Sequence, residues 1–318
     1  MTSRYLRRFA FSVYAAASLA ACSGTPSFVS PFAPARAAKG MAWIEATAKN
    51  GDLLYVSNQG NNSVTVYSYR SRKLVGALGG FSTPGGLCSD AAGDVWVTNE
   101  GESEIIEYAH GGTTPIDTLD DGSEAPLACS VDKKTGNLAV LDADDVAVFA
   151  HASGSPTRYS GGEVYGDYAL GYGARGDLLI DGGSYDNGNV IAFAQLVPSA
   201  KHLKQVVLSS SLQWAPPTFV QWDGEFWVVG DATLDWFKVT GNKGHYEGYT
   251  QLLPTSSIAQ FCIASFGGSG PRGNQLVAVE DYPYEVEFFQ YPAGGKAFAS
   301  IIDGLSNPYG ITISKASK

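Results

Sequence analysis

Gly51-Asp52-Leu53-Leu54-Tyr55-Val56, Gly93-Asp94-Val95-Trp96-Val97 and Gly136-Asn137-Leu138-Ala139-Val140 can be written beneath one another. Three more copies follow: Gly176-Asp177-Leu178-Leu179-Ile180, Gly224-Glu225-Phe226-Trp227-Val228-Val229 and Gly273-Asn274-Gln275-Leu276-Val277-Ala278-Val279. The glycines stand 42, 43, 40, 48 and 49 residues apart, the spacing of one four-stranded propeller blade. In each copy Gly supplies the positive φ of a tight turn and the acidic or amide residue binds nearby backbone. The apolar run that follows is too short for a helix and right for a strand. A second strand comes after it at a steady offset, with one aromatic column: Tyr67, Tyr108, Phe149, Phe193, Phe237 and Phe289. Segments such as Val146-Ala147-Val148-Phe149 are apolar at consecutive positions, which predicts sheets buried on both faces.

Ahead of the Gly turns lies another strand, often opened by Pro and Gly, as in Pro84-Gly85-Gly86-Leu87-Cys88 and Asn307-Pro308-Tyr309-Gly310-Ile311-Thr312-Ile313. With these strands the chain resembles the NHL and SMP-30-like (TolB-like) six-bladed propellers over residues 41–318. The resemblance implies that the Pro-Gly strand is innermost in each blade and lines a central channel. The expected fold is therefore all-β, a six-bladed β-propeller of four-stranded antiparallel blades. Strands of the innermost type occur both near Met41–Lys49 and at Tyr309–Lys315. We expect the C-terminal segment to close the ring by supplying the inner strand of the first blade, with Met41–Lys49 packed nearby; the alternative is a seventh, incomplete blade. Joining the two ends removes free sheet edges.

The N-terminus reads differently. Arg4, Arg7 and Arg8 precede an apolar run from Phe9 to Leu19 and the small residues Ala20 and Ala21, the layout of an export signal too short for a membrane span. Leu19-Ala20-Ala21-Cys22 resembles the lipobox of bacterial lipoproteins, which implies a signal peptide over 1–21 and lipidation of Cys22; the alternative is an ordinary secretory signal with a chance cysteine. Residues 22–40, rich in Ser, Pro and Ala, read as a flexible tether. The expected location is outside the cytoplasm, anchored to the cell membrane or outer membrane, with the domain facing the periplasm or the exterior.

Of 318 residues, 44% are hydrophobic and 16% charged, with 38 Gly, 17 Tyr and 15 Phe; this excludes a disordered chain, a coiled coil and a helix bundle. Twenty-one Lys and Arg against 31 Asp and Glu give −10. Loss of Arg4, Arg7 and Arg8 with the signal leaves 18 against 31, or −13. Such a balance argues against a nucleic-acid partner, whose phosphates need Lys and Arg. With Cys22 lipidated, Cys88, Cys129 and Cys262 remain, an odd number in similar apolar contexts. They read as small buried hydrophobes, with at least one thiol unpaired even if a bridge forms.

The first strand after each Gly turn ends in a polar residue: Asn58, Asn99 with Glu100, Asp142, Asp181, Asp231, and Glu280 with Asp281. Rotational symmetry would place these oxygens on one ring, and oxygen ligands suit calcium or another hard cation. A competing structural reading has each one bonding the next turn. The SMP-30-like resemblance implies a channel metal and lactone hydrolysis, but the chain has no motif that matches those ligands position by position. No Gly-x-Ser-x-Gly elbow, Cys-x-x-Cys pair or P-loop occurs, which speaks against a standard catalytic constellation. Trp214 and Trp222 bracket Ala215-Pro216-Pro217 and are expected to flank the channel mouth, whereas the tyrosines Tyr282 and Tyr284, those from Tyr165 to Tyr172 and those from Tyr246 to Tyr249 are expected in Gly- or Pro-rich connections; exposed aromatics of this kind are candidates for binding. Two functions are expected from this: a binding or scaffolding module for an envelope protein, peptide or glycan, or a metal-dependent lactonase-like or esterase-like hydrolase.

Overall fold

The computed structural model describes residues 42–120, 122, 125–143, 145–161, 165–184, 190–209, 219–230, 233–253, 258–264, 274–280 and 284–317. Cys22, the signal, the tether, Trp214, Asp231, Asp281 and Tyr282 lie outside these residues, and the side chain of Glu280 is likewise not described.

The chain begins with β1 (Trp43–Ile44), β2 (Leu53–Asn58), β3 (Ser63–Ser68) and β4 (Leu74–Leu78). Next, β5 (Pro84–Ser89), β6 (Val95–Asn99), β7 (Glu104–Tyr108) and β8 (Pro115–Asp120) form an antiparallel sheet in that order. The pattern recurs in β9 (Ala128–Val131), β10 (Leu138–Leu141), β11 (Val146–Phe149) and β12 (Thr157–Tyr159). It recurs again in β13 (Tyr165–Tyr172), β14 (Leu178–Ser184), β15 (Val190–Leu196) and β16 (Lys204–Leu208), and in β17 (Val220–Trp222), β18 (Trp227–Gly230), β19 (Thr233–Thr240) and β20 (Lys243–Leu253). A short parallel pairing of β16 with β20 joins these two runs into one sheet. The last sheet holds β21 (Ile258–Ala264), β22 (Asn274–Glu280), β23 (Glu285–Tyr291) and β25 (Ala299–Ile301), while β24 (Gly295–Lys296) pairs with β20. Finally β26 (Pro308–Ser314) returns to β2, completing the order β1-β4-β3-β2-β26. The chain is all-β and its sheets are propeller-like blades.

Why the strands are apolar at consecutive positions is visible in β2, whose six residues are all buried. Leu54 and Val56 pack with Val277 and Phe288 of the last blade, while Leu53 and Tyr55 pack with Val95 and Val97 of the next. Successive side chains point to opposite faces of a strand, and here both faces meet a neighbouring blade. The aromatic column fills these inter-blade layers, with Tyr67, Phe149 and Phe289 fully buried and Phe193 lying 5.9 Å from Phe237.

The strands β5, β9, β13, β17, β21 and β26 face the centre, and hydrogen bonds link them to their neighbours. Gly86 N–H donates to Leu127 O just ahead of β9, Tyr172 N–H of β13 to Ser130 Oγ of β9, and Ser89 Oγ of β5 to Ile313 O of β26. Gln221 of β17 exchanges hydrogen bonds with the backbone of Ile263 on β21, and Gln260 of β21 accepts from Ile311 N–H of β26. The C-terminal strand thus takes the inner place beside β2, as expected from the sequence. Trp43–Ile44 instead adds to the outer edge of the same sheet by pairing with β4; an inner place is already filled by β26.

Two local readings change. Gly93, Gly136, Gly176 and Gly224 have positive φ, but Gly51 is extended at φ −128°. No hairpin is needed at Gly51, because the inner strand of that blade arrives from the other end of the chain. Tyr246 and Tyr249 fall within β20, not in a connection. Cys88 of β5 and Cys129 of β9 form a disulfide between neighbouring blades, and among the described residues Cys262 is the free thiol. The apolar context read from the sequence is correct for Cys88 and Cys129, both buried, but burial in facing layers also brings their Cα atoms to 5.7 Å.

Candidate functional site: the channel cavity

Position along the inner strands decides what the centre can do. Near its start β26 passes so close to β5 that a Cβ on Gly310 would lie 2.4 Å from Gly85 O; only glycine fits there. Gln260, buried, donates through Nε2 to Leu87 O at 3.4 Å while its Oε1 accepts from Ile311 N–H at 2.8 Å. Since β26 lies between β21 and β5, this side chain crosses the inside of the ring and floors it. Toward the strand ends the space widens into a cavity of about 350 Å³.

Every inner strand contributes to that cavity. Its polar lining includes Ser89, Ser130, Asp132, Thr312 and Gln221, with Lys133, Lys134 and Lys315 where the inner strands end. Apolar walls come from Leu87, Val131, Leu170, Val220 and Ile313, and Trp222 forms one side. Trp222 also borders a second cleft of about 290 Å³ with Arg175, Glu225 and Lys238, and its ring meets Trp227 edge-on at 5.4 Å. Trp222 is the last residue of β17.

The electrostatics are set by enclosure. Lys133 is exposed as a residue, yet the surrounding strands desolvate its ammonium and push it below the usual lysine range. Lys315 adds to that shift, while Cys262 and Asp90 oppose it. Burial pushes the Cys262 thiol up, against Lys133, the Ile313 N–H and Lys315, which all favour the thiolate. Asp132 is engaged by its own turn: Lys134 N–H donates to Oδ1 and Thr135 Oγ1 to Oδ2. Lysines at the channel were not singled out by sequence reasoning. Their signal was present in Asp132-Lys133-Lys134 and Ser314-Lys315, each directly after an inner strand.

Of the predicted ring of oxygens, the described members Asn58, Asn99, Glu100, Asp142 and Asp181 are not among the residues that line this cavity. Pairing of Pro84 with Asn99 and of Pro308 with Asn58 places those residues at the opposite, narrow end. Asn58 and Asn99 do the same job in successive blades. Asn58 Oδ1 accepts from Ser306 N–H and Asn99 Oδ1 from Ser82 N–H, each anchoring the loop that leads into a Pro-opened inner strand. Buried Asp142 accepts from Arg158 Nη1 at 2.8 Å, and Asp181 is fully buried on β14. Glu100 begins a single turn after β6 and is half-buried, and Tyr284 is exposed beside β23, also at the narrow end.

Three other carboxylates do converge. Asp90, Asp94 and Glu107 bring ligand oxygens within 4.8 Å of one another on one blade, a donor set that suits a hard cation. Asp90 Oδ1 accepts from Asp94 N–H, and Asp94 Oδ1 from His110 N–H. The second of these repeats in the next blade, where Asn137 Oδ1 accepts from His151 N–H. The residue after the turn glycine therefore ties down the exit of the neighbouring strand, and the two histidines are turn residues of the repeat.

Burial first, then Asp94, Asp90 and Asp117, push Glu107 up to about 7. A carboxyl whose pKa is raised on folding binds its proton more tightly in the native state, so stability falls as pH rises from about 4.5 to 7. The partly exposed position screens this to about 1 kcal/mol. Urea midpoints at pH 5 and pH 8 should differ in that direction, and Glu107→Gln should narrow the difference; an unchanged pH dependence in the variant would exclude Glu107 as its source.

The fold and this central cavity together define a β-propeller. Among solved structures 1128 chains match. One, from the crystal structure of a nidogen/laminin complex, superposes with a TM-score of 0.61 at 13% identity, covering 84% of this chain and 100% of that one. No protein-family model matches the sequence, and no curated protein matches it. A fold shared so widely at such low identity carries no function by itself.

Proposed function

We propose that this chain is an exported, lipid-anchored, six-bladed β-propeller that serves as a binding and scaffolding module in a bacterial cell envelope. The observation that carries the binding role is the outer strand β20. Tyr246 and Tyr249 stand 40% and 56% exposed there, with Asp235 paired opposite Tyr249. Burial raises Asp235 to about 6. Exposed tyrosines on a rigid strand offer large contact area at little entropic cost, as hot-spot residues do. The basic start, apolar run and Leu19-Ala20-Ala21-Cys22 support the anchor. The Cys88–Cys129 bridge supports an oxidising location, and a similar propeller chain was solved within a protein complex.

A photo-crosslinking side chain placed at 249 or 284 in bacteria producing the full chain should give a discrete adduct in the membrane fraction. Cys22→Ala should release the protein from that fraction and abolish fatty-acid labelling. Continued acylation of Cys22→Ala would refute the anchor. Absence of a discrete adduct at both positions would refute the binding role.

A further inference from the structure

We propose that the channel cavity is a binding site for a small organic anion, with the carboxylate or similar head held by Lys133 and Lys315 and an apolar body lying against the inner strands above Gln260. This site is separate from the outer surface of β20 and does not depend on what docks there.

Charge within the cavity is the first ground. The whole chain carries −10, yet among the described residues three lysines and a single carboxylate line this space. That carboxylate, Asp132, is held by Lys134 N–H and Thr135 Oγ1. The Lys134 ammonium donates to Ala174 O. Lys133 has no hydrogen bond or ion pair among the described residues, although its desolvation is strong and Lys315 acts on it unfavourably. A desolvated ammonium beside a second lysine is costly even with Asp90 acting on it, and a ligand anion between the two lysines relieves that cost. Fixed charges in a walled cleft also focus the field, so acidity elsewhere on the surface does not cancel it.

Size and lining give the rest of the ligand. At about 350 Å³ the cavity is near the lower end of the range for small-molecule sites. It is about ten times a water's share of liquid volume, too roomy for a bare inorganic anion. Leu87, Val131, Leu170, Val220 and Ile313 line it below the lysines. An apolar wall with a few polar groups at one end is the usual make-up of such a pocket.

Cys262 lines the same cavity and is the free thiol of the domain, so it can report on the field around it. Iodoacetate and iodoacetamide attack the same thiolate and differ by one negative charge, and the ratio of their rates cancels any change in thiolate population. On the full chain, with labelled peptides mapped to Cys262, that ratio should exceed the ratio in the urea-unfolded chain by about tenfold, the size expected of nearby unit charges in a partly screened site. Lys133→Gln should lower it at least threefold, whereas Lys134→Gln should leave it within a factor of two. On the wild-type chain, butyrate should slow labelling by iodoacetamide and neutral butyramide should not, which decides the matter even if Lys133→Gln fails to fold. A native ratio equal to the unfolded one, equal protection by butyrate and butyramide, or no labelling of the folded chain by either reagent would overturn the proposal. The last result would mean that the cavity admits no small carboxylate.

Discussion

Removal of residues 305–318 should leave a chain that does not form a stable domain. The deleted segment contains all of β26, which pairs with β2 from Leu53↔Ser314 to Asn58↔Pro308. Ile311 and Ile313 are buried between the first and last blades, with Leu305 and Tyr309 packed against them. Burial of each isoleucine contributes about 1.5–3 kcal/mol. The same strand supplies the acceptor for Ser89 Oγ and the donor for Gln260 Oε1, and Ala316 N–H binds Asp52 Oδ1. Its loss would expose the full edge of β2, all of whose side chains are buried, and open the ring at one point. Those losses together reach the whole stability of an ordinary domain, about 5–15 kcal/mol. The truncated chain should lose its near-ultraviolet circular dichroism and elute as aggregate. A monomer with an unchanged melting temperature would show that closure does not depend on this strand. Ile313→Asp, which keeps the backbone ladder and places a charge in the same layer, should lower the melting temperature by several degrees or more.

That prediction was legible in the sequence because closure is a matter of counting. Repeated strands of one type appeared at both ends, and the Gly turns fixed the number of places to fill. Periodicity carries this kind of information well, since each Gly turn, apolar run and aromatic column reports local geometry repeated in every blade. It carried the outer position of Trp43–Ile44 poorly, because a two-residue strand has no period of its own. The site was less legible still. Asn58 and Asn99 were visible as a repeated column, and a repeated column is what a structural role produces: one carboxamide per blade holding one loop. Lys133 and Lys315 occupy no such column, and their nearness to Cys262 depends on blades 129 and 53 positions away along the chain. Gln260 crosses the ring from a strand that reads as uniformly apolar around it. Functional groups that depart from the repeat become readable only after the ring has brought its inner strands together.

Cleavage of the Cys88–Cys129 bridge should cost the domain about 4 kcal/mol, the chain-entropy value for a loop of this length, the two cysteines being separated by 41 residues. The effect should arise mainly in the unfolded chain. The two blades stay linked without the bridge, through Gly86 N–H of β5 to Leu127 O at 2.8 Å and Thr98 Oγ1 of β6 to Leu127 O at 3.3 Å. Their surroundings also remain packed, because Trp96, Ile105, Leu138 and Phe149 fill the same inter-blade layer. A reduced native state should therefore keep its secondary structure and near-ultraviolet spectrum at low temperature. Its thermal midpoint should fall by about 5–10 °C, given the unfolding entropy of a domain somewhat larger than 250 residues. Cys88→Ser with Cys129→Ser should show the lowered midpoint without reductant and no further fall with it. Cys262→Ser should leave the reductant response of the wild type intact, since that thiol closes no loop. Equal midpoints for the oxidised and reduced wild-type chain, with the bridge confirmed by a non-reducing peptide map, would mean that the ring already restricts the unfolded ensemble as much as the bridge does. The sheet pairing between β2 and β26 would then be the dominant constraint, and the truncation and the reduction would have separable effects on the same transition.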